Sequence, residues 1–131
     1  MEFPRRNEPW RLALIGANGM LARKVLVATP ADILVTGFDL PELDITRPEQ
    51  VRAALLPLRP DLIINCAAYT AVDQCEADES AAMAVNGDAV ATLASVADEC
   101  GALLVHLSTD YVFDGGKQTP YLETDPVGPL S

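Results

Sequence analysis

The sequence predicts an α/β fold, a doubly wound parallel sheet with helices on both faces. Three observations carry that expectation. Apolar runs alternate with amphipathic stretches along the chain, which is the order of a β-α-β architecture. The runs RLALIG (11–16), DILVTGFD (32–39), DLIINCAAY (61–69) and ALLVHLSTDYVF (102–113) are apolar along most of their length instead of alternating, so cover is expected on both sides of each strand. Glycine, proline and helix-start signals fall between the runs, where connections belong.

The elements follow in order. Residues 1–10, MEFPRRNEPW, hold two arginines with no apolar stretch behind them long enough for a signal peptide, and read as a leader. RLALIG forms the first strand and ends on Gly16. Met20, Leu21, Lys24, Val25 and Ala28 then recur near helical spacing, and Pro30 stops that helix. Residues 32–39 form the second strand. LPELDI (40–45) has room for a very short third strand. Thr46 and Glu49 have the spacing of a capping box, ahead of a helix whose apolar face is Val51, Ala54, Leu55 and Leu58. Pro57 and Pro60 are expected to end it. Residues 61–69 make the next long strand. A single Ala-rich helix is predicted over roughly 76–100, with Ala82, Val85, Ala89, Leu93, Val96 and Cys100 on one stripe and Gly101 as its left-handed C-terminal residue. Residues 102–113 form the last strand, and 114–131 read as loop. No internal repeat or low-complexity linker interrupts this order.

The bulk numbers narrow the function. The chain has 131 residues, half of them hydrophobic, which suits one core. Nineteen acidic residues against nine basic ones give a formal net charge of -10, so a nucleic-acid binder is not expected. Cys66, Cys75 and Cys100 form no C-x-x-C pair, and His106 is the single histidine, so neither a metal site nor a disulfide framework is expected. A reducing, cytoplasmic setting is the simplest expectation. No run approaches the ~20 apolar residues that span a bilayer.

Between the first strand and the first helix lies GANGMLA, which is Gly16, Gly19 and then Ala22 in a G-x-x-G-x-x-A pattern. Backbone N–H groups and the helix dipole at that turn would face a pyrophosphate. Asp39, 23 residues after Gly16, ends the second strand, where an acid accepts hydrogen bonds from an adenosine ribose. A carboxylate there also repels a 2′-phosphate, so NAD is expected to be tolerated better than NADP. The simpler alternatives are a tight turn without ligand and a solvent-facing acid. Together the two features predict a Rossmann-like dinucleotide-binding domain over 11–131.

Several stretches then read together: IGANGMLA, LDITRPEQV, RPDLIINCAAYTAVDQCE, Val85–Asn86, LSTDYVFDG and YLETD. In order and spacing the chain closely resembles the dTDP-4-dehydrorhamnose reductase family, extended short-chain dehydrogenases of dTDP-rhamnose biosynthesis. The resemblance covers nearly all of 11–131. It implies an NAD(P)-dependent oxidoreductase that reduces dTDP-4-dehydro-L-rhamnose to dTDP-L-rhamnose with NADH or NADPH. By the same resemblance Gly19, Met20 and Leu21 would lie along the pyrophosphate, Asp39 by the ribose, Asp44 and Ile45 near the adenine, and Ala68, Tyr69 and Thr70 along the cofactor. Thr109 matches the catalytic hydroxyl, and Asp110 and Tyr111 match residues facing the dTDP-sugar. In some family members Mg²⁺ bridges subunits.

One departure matters. The family's Tyr-x-x-x-Lys pair is absent: four residues after Tyr69, Tyr111 and Tyr121 stand Asp73, Gly115 and Asp125. The sequence therefore reads as the N-terminal portion of a longer reductase, with the sheet incomplete at its C-terminal end and the substrate domain absent. The isolated chain is expected to be inactive and to associate through an exposed sheet edge as a homo-oligomer. Two alternatives remain: a non-catalytic regulatory subunit of the same fold, such as the one that assists methionine adenosyltransferase, and another nucleotide-sugar dehydrogenase or epimerase.

Overall fold

The computed structural model describes residues 8–130. Most of the expected leader, residues 1–7, lies outside them. The first strand already begins at Trp10, within the stretch assigned to the leader.

Four parallel strands form one sheet in the order β2-β1-β3-β4, where β1 is Trp10–Ile15, β2 Ile33–Phe38, β3 Leu62–Asn65 and β4 Leu103–His106. The register is continuous: Ile15 pairs with Phe38 on one side and Asn65 on the other, and Asn65 pairs with His106. Every strand therefore points its carboxyl end at the same edge. The chain steps one way from β1 to β2 and the other way from β2 to β3 and on to β4. Right-handed crossovers then put α1 (Met20–Ala28) on one face and α2 (Pro48–Leu58) with α5 (Ala89–Cys100) on the other.

The α2–α5 face is the core. Ala13, Ile15 and Ile63 meet Val51 and Leu55 of α2 and Leu93 and Val96 of α5, all but excluded from water. The opposite face carries Leu12 and Leu14, buried, and the one buried residue of α1, Ala22. Over β4 this face is open, while Leu62 and Ile64 of β3 are half-buried. Leu103 is 42% exposed and Val105 39%, and Leu107 continues the row. The expected cover on both sides thus holds for β1 and fails for β4.

The structure corrects several boundaries. No strand forms in 40–45; Leu43 and Ile45 are apolar because they plug the core from a turn. Thr46 does not cap α2, which starts at Pro48 with Arg47 before it; the Thr46 hydroxyl bonds Asp44 instead. Pro57 sits inside α2 without ending it, and Arg59 adopts the left-handed conformation that does. The predicted 76–100 helix is four pieces: α3 (Val72–Ala77), α4 (Glu79–Met83), a π-helical segment (Ala84–Asp88) and α5. The break falls at Asp78, whose carboxylate accepts the Ala81 N–H at 3.0 Å and starts α4 afresh. Gly101 closes α5 with φ +67°, as expected. The last strand stops at His106, not 113, and a 3₁₀ turn spans Asp110–Val112.

The 113–128 segment is an organised loop. Phe113 and Tyr121 stack with centroids 4.2 Å apart. The Tyr121 hydroxyl donates to Asp114 at 2.8 Å, Lys117 pairs with Asp125, and the Gly128 N–H returns to the Val112 carbonyl at 2.9 Å.

Candidate functional site

Because the strands are parallel, four connections meet at one edge: Gly16–Gly19 after β1, Asp39 after β2, Cys66–Thr70 after β3 and Leu107–Asp110 after β4. Ligands of open α/β sheets bind at this edge. Most of the residues singled out from sequence are gathered there.

Gly16 is buried with φ +74°, and a β-carbon on it would stand 2.7 Å from the Ala67 nitrogen. Only glycine lets the first turn close onto the end of β3. The Gly16 and Ala17 N–H groups both donate to the Phe38 carbonyl, at 2.8 and 3.0 Å. Gly19 precedes α1 and offers no side-chain cap. The first bond inside α1 runs from the Arg23 N–H to the Gly19 carbonyl, so the N–H groups of Met20, Leu21 and Ala22 stand ahead of the helix ladder. Donors at the positive end of a helix dipole, reached over glycines, fit a pyrophosphate. Met20, 86% exposed, stands beside them at the rim.

Asp39 has a role the sequence did not disclose. Its Oδ2 accepts the Asn18 N–H at 2.7 Å and its Oδ1 the Leu40 N–H at 2.8 Å. The carboxylate thus buckles the end of β2 to the glycine turn, and its remaining lone pairs are what a ribose could meet. Asp44 is engaged further out. Its Oδ1 accepts the Thr46 hydroxyl at 2.7 Å and the Thr46 N–H at 2.9 Å. The Thr46 hydroxyl first, then the Thr46 N–H and the charge of Arg47, hold the Asp44 carboxyl below its ordinary range. The Ile45 side chain belongs to the core.

After β3, Ala68 and Thr70 are exposed and Tyr69 is half-buried. The Tyr69 backbone is gripped at both ends by Asn86: Oδ1 accepts its N–H at 2.8 Å and Nδ2 donates to its carbonyl at 2.9 Å. Asn86 lies in the π-helical segment, whose wider turn aims it there. The Tyr69 hydroxyl donates to Gln74 at 3.1 Å. The sequence reading missed Asn86 as a site residue. The Val85–Asn86 pair was the available signal, but no local rule reveals a π turn.

After β4, Thr109 caps the 3₁₀ turn. Its Oγ1 accepts the Tyr111 N–H at 3.2 Å and donates to Asp110 Oδ1 at 3.3 Å. Tyr111 is 73% exposed, so it is no core aromatic. Thr109, Asp110 and Tyr111 form an accessible polar lip beside the other three loops.

A cavity of about 220 Å³ lined by Trp10, Leu12, Pro30, Ile33 and Leu62 lies at the opposite end of the strands, away from this edge. Among the described residues no group of three or more His, Cys, Asp or Glu is placed to hold a metal ion. No helix there is long and apolar enough to cross a membrane.

Comparison with known proteins decides the family. The family described as "RmlD substrate binding domain" matches residues 10–131. The chain belongs to this family. Over 121 residues this RmlD-family chain is 42% identical to a dTDP-4-dehydrorhamnose reductase of Burkholderia thailandensis, covering 92% of the chain and 41% of that protein. It is 47% identical over 125 residues to a probable dTDP-4,6-dihydroxy-2-methyloxan-3-one 4-ketoreductase of Streptomyces antibioticus, covering 92% and 42%. Its fold superposes on the Bacillus anthracis dTDP-4-dehydrorhamnose reductase solved in complex with NADP, with TM-score 0.91, 35% identity, and coverage of 96% and 45%. The RmlD-family chain thus spans less than half the length of these relatives.

Proposed function

We propose that this chain is the nucleotide-binding part of an NAD(P)H-dependent reductase that converts dTDP-4-dehydro-L-rhamnose to dTDP-L-rhamnose. The observation that carries the reading is the closure of the Gly16 turn onto Ala67, which sets free helix donors beside the loops bearing Tyr69 and Thr109. The kinship with dTDP-4-dehydrorhamnose reductases supports the substrate. In this reading residues 11–131 form the nucleotide-binding domain, and the remaining substrate contacts lie outside them.

The reading gives each of these loops a role. Gly16 and Gly19 let a pyrophosphate approach, and the Met20 and Leu21 N–H groups bind it. Asp39 meets the ribose, and its charge favours NADH over NADPH. Asp44 and the backbone of Ile45, whose side chain is in the core, border the adenine, and Ala68, Tyr69 and Thr70 line the nicotinamide side. A bound nicotinamide cofactor supplies the hydride. Thr109 turns its hydroxyl from Asp110 to the C4 ketone oxygen, where negative charge builds, so that bond strengthens in the transition state. Asp110 and Tyr111 face the sugar nucleotide. No tyrosine in the chain is followed four residues on by lysine, so the reading assigns the proton donor to no residue here. A cytoplasmic setting accords with three free cysteines among the described residues. The open face over β4 gives the isolated chain a surface for self-association.

Calorimetric titration of the 131-residue chain with NADH and with NADPH tests the nucleotide half, and NADH consumption with dTDP-4-dehydro-L-rhamnose tests the rest. The expected result is one-to-one binding, tighter for NADH, without measurable turnover. A folded chain that binds neither cofactor sinks the reading.

A further inference from the structure

Asn65 ends β3 and is 1% exposed, the only buried polar side chain among the described residues. Buried amides persist where their hydrogen bonds are met, and here both ends are. Oδ1 accepts the Ala67 N–H at 3.1 Å, and Nδ2 lies 3.1 Å from His106 Nδ1. The first contact fixes the second. An N–H can only meet the amide oxygen, so the NH₂ group must face the histidine. His106 Nδ1 must then accept, which leaves its proton on Nε2.

The partners belong to the two loops the reaction needs. Ala67 opens the turn to Ala68, Tyr69 and Thr70 and meets the Gly16 turn at its nitrogen. His106 is the last residue of β4, three before Thr109, and is the register partner of Asn65. We infer that Asn65 is a positioning residue: one amide ties the cofactor-side turn to the strand end that presents Thr109, and holds the His106 ring as its neutral Nε2–H tautomer. The link to cofactor and substrate rests on the function proposed above; the clamp does not.

His106 is the single histidine of the chain, so its ring gives one unambiguous signal set. Long-range ¹H–¹⁵N spectra at pH 8 should show Nδ1 unprotonated and Nε2 protonated. Asn65→Asp keeps the shape and the acceptor for Ala67 but turns an oxygen toward Nδ1, so Nδ1 should take up a proton. Backbone amide signals should then shift at 66–70 and also at 107–109, and NADH affinity should fall on the order of tenfold, the worth of one hydrogen bond. His106→Phe removes the acceptor from the other strand and should still move the signals of 66–70. A wild-type ring protonated at Nδ1, a ring unchanged by Asn65→Asp, or shifts confined to the substituted strand in either variant overturns the clamp. A wild-type chain with the expected tautomer and cross-strand shifts that binds no NADH supports the clamp and defeats the nucleotide reading instead.

Discussion

Replacing Gly16 with alanine should be the most damaging single-methyl change in the molecule. Two costs add. The residue holds φ +74°, and a left-handed backbone costs a non-glycine residue ~1–2 kcal/mol. The new methyl would also lie 2.7 Å from the Ala67 nitrogen and 2.9 Å from its α-carbon, both backbone atoms that no rotamer change can move aside. Overpacking of that kind costs a further ~1–3 kcal/mol. The sum is about 2–5 kcal/mol, which for a chain of this size is a fall in melting temperature of roughly 10 °C or more. Gly101→Ala is the internal control. Its φ is +67°, yet nothing stands within 4 Å of the added carbon, so only the backbone cost applies, about 5 °C. Scanning calorimetry on both variants separates the two contributions. If Gly16→Ala melts no lower than Gly101→Ala, the close approach to Ala67 does not constrain the turn. NADH titration of Gly16→Ala should show no binding, since the turn can no longer close onto β3.

Two further expectations concern acid and association. Asp44, Asp78, Asp114, Asp125 and Glu99 are held below their ordinary pKa by hydrogen bonds, chiefly from Thr46, Ala81, Gly116, Lys117 and Arg52 respectively. A depressed folded-state pKa contributes stability that is present above the unfolded value, 3.8 for Asp and 4.5 for Glu, and is lost as pH falls through the folded one. Urea midpoints should therefore drop below about pH 4.5, against the relief of the -10 net charge; a rise on acidification to pH 3 would contradict the assignment. Self-association of the isolated chain should run through the bare row on β4. Sedimentation should show concentration-dependent association in the wild type and its loss in Val105→Lys, because a charge in the middle of that apolar row is costly to bury against a second copy; a monomeric wild type counts against that surface.

What the sequence discloses here is local. The first strand, the glycine turn, α1 and the Gly101 stop each follow from a handful of neighbouring residues whose spacing has one structural meaning. The misreadings share a different cause. LPELDI has the apolar spacing of a strand, but Leu43 and Ile45 are buried from a turn, against Val51 and Leu55 of α2 just downstream and Leu93 and Val96 of α5, distant in sequence. ALLVHLSTDYVF looked continuous because hydropathy does not register that the Thr109 hydroxyl diverts the backbone into a 3₁₀ turn. The four-part path from 72 to 100 hides behind uniform alanine content, since Asp78 has caps on offer only once the chain has turned. In the site, residue types at strand ends were legible. Their partners were not: that Asp39 grips Asn18, Asn86 grips Tyr69 and Asn65 joins Ala67 to His106 are facts of three-dimensional neighbourhood.

The π-helical segment has a consequence for how this stretch tolerates change in length. It holds one residue more than a regular helix would need over Ala84–Asp88. Losing one of those residues would restore ordinary winding and leave the helices on either side in phase, because the wide turn is what absorbs the surplus residue. What would go is the bulge itself, and with it the direction from which Asn86 meets the Tyr69 backbone. Substitutions in this segment are weighed one side chain at a time, but a single-residue deletion erases the bulge as a unit while sparing the helices on either side.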